Sequence, residues 1–190
     1  MTTQTKTKFE PVNLETAEEP AKSTLAEAKK NLGFVPNMYE FMAVNPSLLT
    51  AYTSSYNAFR EQSGFTPQEQ EVVLLSASYV NECDYCMAAH SFVADKMSNV
   101  PTEVTDAIRD GREIPDKKLA ALSKFTKEVV KEKGYVSEEA IQEFLNAGFD
   151  KKHVFGVITG VGVKTMSNYM NHIAETPVDD VFSERKWEKK

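Results

Sequence analysis

TPQEQEVVLLSASYVNECDYCMAAH, residues 66–90, reads as two helices joined by a short turn. Thr66 supplies a capping hydroxyl, Pro67 suits a first-turn position, and Glu69 completes a capping box, while Gly64-Phe65 stops whatever precedes it. The run from Val72 to Val80 is apolar around nearly its whole circumference. It must be covered on most sides, so residues 67–80 are predicted to form a central helix. After a break at Asn81 and Glu82, a second helix is expected from Cys83 or Asp84 to about Met97. Its stripe of Cys83, Cys86, His90, Val93 and Met97 recurs at intervals of three and four, with Asp84, Ser91 and Asp95 projecting elsewhere.

Outward from this hairpin, glycine and proline punctuate the rest of the chain into helices. Upstream, segments at 20–32, 37–43 and 45–63 end at or near Gly33, Ala43 and Gly64; downstream, segments at 101–110, 116–133 and 137–147 close at Gly111, Gly134 and Gly148. A long helix is expected over 151–174, with Gly156, Gly160 and Gly162 serving close packing against a neighbour. Gly64-Phe65-Thr66 is echoed by Gly148-Phe149-Asp150, as in a duplicated hairpin. The fold class is all-α, one domain over residues 15–176. An extended N-terminal arm at 1–14 and a C-terminal tail at 177–190, able to pack on a partner subunit, flank it. Met38, Tyr39, Phe41 and Met42 read as core, subunit interface or the roof of an apolar pocket, and Lys127 to Lys133 as a solvated helix face.

The composition removes several classes of function. With 22 Lys+Arg against 28 Asp+Glu, the net charge of −6 repels a polyanion, so nucleic acid is not expected as a partner. The longest uncharged apolar stretch, Val154 to Val163, is well short of a membrane span, and MTTQTKTKFEPVN lacks a signal-peptide core. Neither membrane nor export is expected, and the cytoplasm is the expected location.

Cys83 and Cys86 are the only two cysteines, and chance would place a pair at this spacing in roughly one such chain in a hundred. A thiol is a weak nucleophile until it ionises, and the first turn of a helix, with unpaired N–H groups and the positive dipole end, favours the thiolate. His90 follows Cys86 by one turn and can take its proton directly or through a water. Cys83 can then close a disulfide on oxidised Cys86, and an external dithiol must reopen it. In an antiparallel hairpin pivoting near residues 80 to 81, Glu71 falls level with His90 and can orient it.

These residues resemble a known family. Glu71, Cys83-Asp84-Tyr85-Cys86 and His90 look like the Glu…Cys-x-x-Cys-x-x-x-His signature of the alkylhydroperoxidase D-like proteins in the carboxymuconolactone decarboxylase family. NHIAETP, residues 171–177, resembles the end of its longer members. The resemblance implies a multi-helical bundle with the Cys-x-x-Cys at the start of a central helix, and a homo-oligomer, commonly a trimer or hexamer. It implies dithiol peroxidase activity on a hydroperoxide, restored by an external dithiol of thioredoxin-like or lipoyl type, with no cofactor. In that scheme Cys86 is the peroxidatic thiol, Cys83 the resolving thiol or proton donor, and Glu71 and His90 the proton relay. Tyr85 departs from the best-studied type, which has histidine there, and a tyrosine donates a hydrogen bond but is no base near neutral pH.

Two other readings use the same residues. A lactone-processing or decarboxylating enzyme would employ His90 and Glu71 as acid and base without thiol chemistry. A non-enzymatic redox or zinc module would use Cys83, Cys86 and His90 as ligands, with His153 or His172 as a fourth.

Overall fold

The structure, a computed structural model, describes residues 7–189. Among them lie nine α-helices: α1 (Ala21–Leu32), α2 (Asn37–Met42), α3 (Pro46–Gln62), α4 (Pro67–Val80), α5 (Asp84–Lys96), α6 (Thr102–Asp110), α7 (Lys117–Lys131), α8 (Glu138–Asn146) and α9 (Lys151–Ala174). A 3-10 helix at Asp180–Arg185 follows.

α4 is the axis of the bundle, and α5, α6, α7 and α9 all pack on it. Every residue from Glu69 to Ser78 is buried, as the all-round apolar run predicts. The capping box is present: the Thr66 hydroxyl accepts from the Glu69 N–H, and Glu69 accepts from the Thr66 N–H at 2.8 Å. Asp150 caps α9 in the same way, and the Phe65 and Phe149 rings meet edge to face with centroids 6.0 Å apart.

The glycines of α9 are not equivalent. A Cβ on Gly160 would lie 2.6 Å from Val73 Cγ1 and 2.9 Å from Phe59, and one on Gly156 would meet Phe65 at 2.9 Å, whereas Gly162 faces open space. α9 therefore approaches α3 and α4 more closely than any side chain at 160 permits. Gly160→Ala should destabilise the fold by about 1–3 kcal/mol through overpacking. Gly162→Ala should stabilise it by about 0.5–1 kcal/mol by removing glycine's backbone entropy cost. Denaturant melts of the two variants should move in opposite directions.

Three expectations need correction. The stripe on α5 holds for Cys83, Cys86 and His90, but Met97 is exposed and Ser91 is fully buried, accepting from Arg109 at 2.8 Å. With α4, α6, α9 and the 3-10 helix all against α5, its covered face is wider than one stripe. The C-terminal tail is not an extended arm reaching elsewhere but folds onto its own chain, with Phe182 and Trp187 buried. Arg185 pairs with Asp95 and Asp106 at 3.1 and 2.7 Å, and the Trp187 indole donates to the Arg109 carbonyl at 2.8 Å. The run from Lys127 to Lys133 is solvated at its end only, since Val129 is buried and Lys127 lies over the Tyr79 ring. Met38 and Met42 enter the core, with Tyr39 and Phe41 half-buried. Of the N-terminal arm, residues 1–6 lie outside the described residues, while the Val12 N–H donates to the Glu40 carbonyl at 3.0 Å.

Candidate active site

The turn between α4 and α5 is only Asn81-Glu82 long, with Glu82 in the left-handed region at φ 58°. It sets Cys83 at the N-cap of α5, not inside the first turn, and Cys86 three residues on. Both cysteines are free thiols and buried. The short turn also folds α5 back along α4, so His90 Nδ1 lies 2.9 Å from Glu71 Oε2, the pairing expected from the hairpin.

Glu71 is wholly buried, and its other oxygen accepts from the Arg60 guanidinium of α3. Arg60 is held in turn by Gln70 Oε1 at 3.0 Å and the Tyr56 hydroxyl at 2.5 Å. Burial alone would raise the Glu71 carboxyl, but His90 and Arg60 outweigh it and hold it below the ordinary carboxylate value.

On the far side of the ring stands a residue that the local spacing did not single out. Lys164 of α9, with no exposure, places Nζ 3.0 Å from His90 Nε2, and it shares one face of α9 with Ser167 and Asn171, which reach Cys86 Sγ. Among the described residues no direct hydrogen bond joins Cys86 to His90, whose Nε2 accepts from Lys164 instead. With Nδ1–H directed at Glu71, Nε2 is the acceptor for the ammonium, an assignment that follows from the partners. Burial and the Lys164 charge push His90 below its ordinary value, against the pull of Glu71.

Two further residues of α9 reach the sulfurs. Asn171 Nδ2 lies 3.4 Å from Cys86 Sγ and 3.8 Å from Cys83 Sγ, and Ser167 Oγ lies 3.7 Å from Cys86 Sγ. Burial would raise the Cys86 thiol, but the hydrogen bond from Cys83 and the charge of Lys164 hold it well below the usual thiol range. That same hydrogen bond to Cys86, together with burial, pushes Cys83 up. The two thiols are therefore unequal, Cys86 being the one more readily ionised and Cys83 the one more readily kept protonated.

Tyr85 does not point at the sulfurs. Its hydroxyl donates to Asp179 Oδ2 at 2.5 Å and accepts from the Met38 N–H at 3.4 Å, while Asp179 Oδ1 accepts from the Asn37 N–H. Burial and the Asp179 carboxylate push its hydroxyl up, so it stays protonated and ties the C-terminal tail to α2 and α5. A cleft of about 320 Å³ opens beside the pair, lined by Cys83, Asp84, Tyr85, Asn171, His172 and Glu175 among others. A larger cleft of about 450 Å³ lies along α7 near Ile114 and Lys127 and contains none of these groups.

A metal fits this geometry poorly. Both nitrogens of His90 are engaged, and His153 is bonded to Asp150 at 2.8 Å on another part of the molecule. Among the described residues no group of three or more His, Cys, Asp or Glu is arranged to hold a metal ion.

The folded state binds fewer protons at both His90 and Glu71 than the unfolded chain does. Their stabilising contributions are present above the ordinary values, 6.5 for His90 and 4.5 for Glu71, and are lost as pH falls through the lower folded values. Between pH 7 and pH 5 the melting temperature should therefore fall, by about 2–4 °C for each kcal/mol lost. Thermal melts of His90→Gln should show a shallower slope over that interval.

Fold and thiol pair together define an all-α bundle of alkylhydroperoxidase D type, with Cys83-x-x-Cys86 at the start of an inner helix. Residues 46–128 match the model of the carboxymuconolactone decarboxylase family. Among solved structures, the chain is similar to an alkylhydroperoxidase AhpD core, peroxidase-related protein from Ralstonia eutropha JMP134. There the TM-score is 0.82 at 22% identity, covering 94% of this chain and 95% of that one. A peroxidase-related protein from Silicibacter sp. TM1040 is matched with TM-score 0.78 at 19% identity, over 95% of this chain and 97% of the other. The debrominase Bmp8, in a cysteine-to-alanine form with 2,3,4-tribromopyrrole, is matched with TM-score 0.76 at 14% identity, over 94% and 95%. No curated protein matches the sequence.

Proposed function

We propose that the protein is a thiol-dependent peroxidase. The observation that carries this reading is the placement of two free thiols, Cys83 and Cys86, at the start of α5, with Asn171 Nδ2 3.4 Å from Cys86 Sγ and the buried chain of Glu71, His90 and Lys164 behind them. The Cys86 thiolate attacks the distal oxygen of a hydroperoxide. The S–O bond forms as the O–O bond breaks, Cys86 becomes a sulfenic acid, and the departing alkoxide takes up a proton. The Cys83 thiol then attacks the sulfenic sulfur, and water leaves with the Cys83 proton as the disulfide closes.

An external dithiol reduces the disulfide. Cys83 lines the cleft, so the incoming thiolate attacks Cys83 Sγ and expels Cys86, whose depressed pKa makes it the better leaving group. Glu71 and His90 serve as the proton relay behind the sulfurs, and Tyr85 holds the cleft's shape. An external dithiol reductant is most readily supplied in a reducing compartment, so the proposed location is the cytoplasm. No helix among the described residues is long and apolar enough to cross a membrane.

The test is peroxide consumption with a dithiol reductant after removal of metals. Wild type should consume an organic hydroperoxide and Cys86→Ser should not; equal rates in the two would overturn the reading.

Self-association of the kind the family resemblance implies has a surface available. Phe155, Ile158, Tyr169 and Ile173 are exposed along the outer side of α9. Light scattering at micromolar concentration should give a multiple of the chain mass, and a single-chain mass would remove this part of the proposal.

A further inference from the structure

Lys164 is a lysine with no exposure on the inward face of α9, between the glycines and valines before it and the polar Ser167, Asn168 and Asn171 after it. Its ammonium has three protons to donate and nothing with which to accept. Among the described residues no carboxylate forms a salt bridge with it. Glu71, on the other side of His90, is already shared by Arg60 and His90. A buried charge persists only when it is paired. Lys164 donates to His90 Nε2, and it lies on the face of α9 that carries Ser167 and Asn171, whose side chains stand 3.7 and 3.4 Å from Cys86 Sγ, so the Cys86 sulfur is the acidic group that this face presents to it.

We propose that Lys164 is a catalytic residue of this site: the fixed counter-ion of the Cys86 thiolate and the immediate donor of the proton that the leaving oxygen requires. The second half rests on the peroxidase reading; the first does not. The charges close in two pairs, Arg60 with Glu71 and Lys164 with Cys86, and neutral His90 bridges them by accepting from one side and donating to the other.

The pairing accounts for the proton through the whole cycle. When Cys86 attacks, the thiolate charge passes to the alkoxide, and Lys164 Nζ hands it one proton. This leaves an alcohol, a Cys86 sulfenic acid and a neutral amine. Disulfide closure then releases water without involving Lys164. When an external dithiol reopens the disulfide, the departing Cys86 thiolate appears beside the amine, which recovers its proton from the attacking thiols. At no stage does the buried site hold an uncompensated charge. Gly160, one turn before Lys164, sets this geometry, because its lack of a side chain lets α9 lie against Val73 and Phe59.

Other titratable groups facing Cys86 cannot replace Lys164. Tyr52 and Tyr56 on α3 and Tyr85 on α5 are all pushed up by burial and stay neutral. Cys83 donates a hydrogen bond but carries no charge, and His90 is held neutral. Glu71 and Arg60 offset one another behind the ring.

The experiment compares wild type, Lys164→Met and Lys164→Arg by two readouts: thiolate absorbance near 240 nm against pH, and the rate of Cys86 alkylation by iodoacetamide. Wild type should retain the thiolate band at pH 6 and alkylate at a rate nearly constant from pH 6 to 8. In Lys164→Met the band at neutral pH should vanish and alkylation at pH 6 should fall at least tenfold. Lys164→Arg should restore the band, because the charge is kept, but not peroxide turnover, because a guanidinium does not release its proton. An unchanged titration in Lys164→Met overturns the ion pair, and full turnover in Lys164→Arg overturns the donor role. Should Lys164→Met fail to fold, the wild-type profile alone decides, since an alkylation midpoint at the ordinary thiol value contradicts the pairing. If wild type consumes no peroxide while its thiolate still depends on Lys164, the peroxidase reading fails and the ion pair stands.

Discussion

Glu71→Ala should be the most damaging single substitution to stability, costing about 3–5 kcal/mol. The carboxylate has no exposure and joins α3 to α5 through Arg60 and His90. Truncating it leaves a guanidinium with its carboxylate partner gone and an imidazole N–H with no acceptor, beside the buried Lys164 ammonium. Glu71→Gln keeps an acceptor for His90 and removes only the charge, so it should lose less stability than Glu71→Ala. Denaturant unfolding of the two variants separates the buried hydrogen bond from the ion pair. Under the peroxidase reading both should also slow turnover by about 10²-fold, the scale of a lost acid–base contribution.

The largest effect on chemistry should come from the thiol pair, and the two serines should fail differently. Cys86→Ser removes the nucleophile, so neither turnover nor a first oxidation should be seen. Under the peroxidase reading Cys83→Ser keeps Cys86 with Lys164 and Asn171 near it, so one equivalent of peroxide should still be consumed before the reaction stalls. The stalled species is a Cys86 sulfenic acid, which a sulfenate-trapping dione should label in Cys83→Ser and not in Cys86→Ser. Loss of the Cys83 hydrogen bond also removes part of what stabilises the thiolate, so this single turnover should be slower than the wild-type burst.

Much of the fold could be read from punctuation. Thr66-Pro67 and Asp150 start α4 and α9 by local hydrogen bonds, and Gly33, Gly111, Gly134 and Gly148 adopt positive φ near helix ends, so these boundaries depend on nearby residues alone. The Glu71–His90 contact was legible because a two-residue turn fixes which residues of α4 and α5 lie level. Lys164 was not, because its contact with His90 spans 74 residues and depends on how α9 crosses the hairpin. A lone lysine on the inward face of a glycine-rich helix was the available signal, visible only once Gly156 and Gly160 were known to face α3 and α4. The role of Tyr85 was hidden for the same reason: Asp179 lies 94 residues away, in a tail too polar to read as packed. Its 3-10 helix is anchored by Phe182, Trp187 and the Arg185 ion pairs, which no helical periodicity announces.

The central claim is that Cys86 is oxidised by peroxide and Cys83 closes on it. Its most direct test is the intact mass and thiol content of the reduced, metal-free protein after one equivalent of an organic hydroperoxide. The account predicts loss of two hydrogens and of both free thiols in wild type, gain of one oxygen in Cys83→Ser, and no change in Cys86→Ser. A wild-type protein that keeps both thiols, or a Cys86→Ser variant that oxidises as readily as wild type, would contradict it.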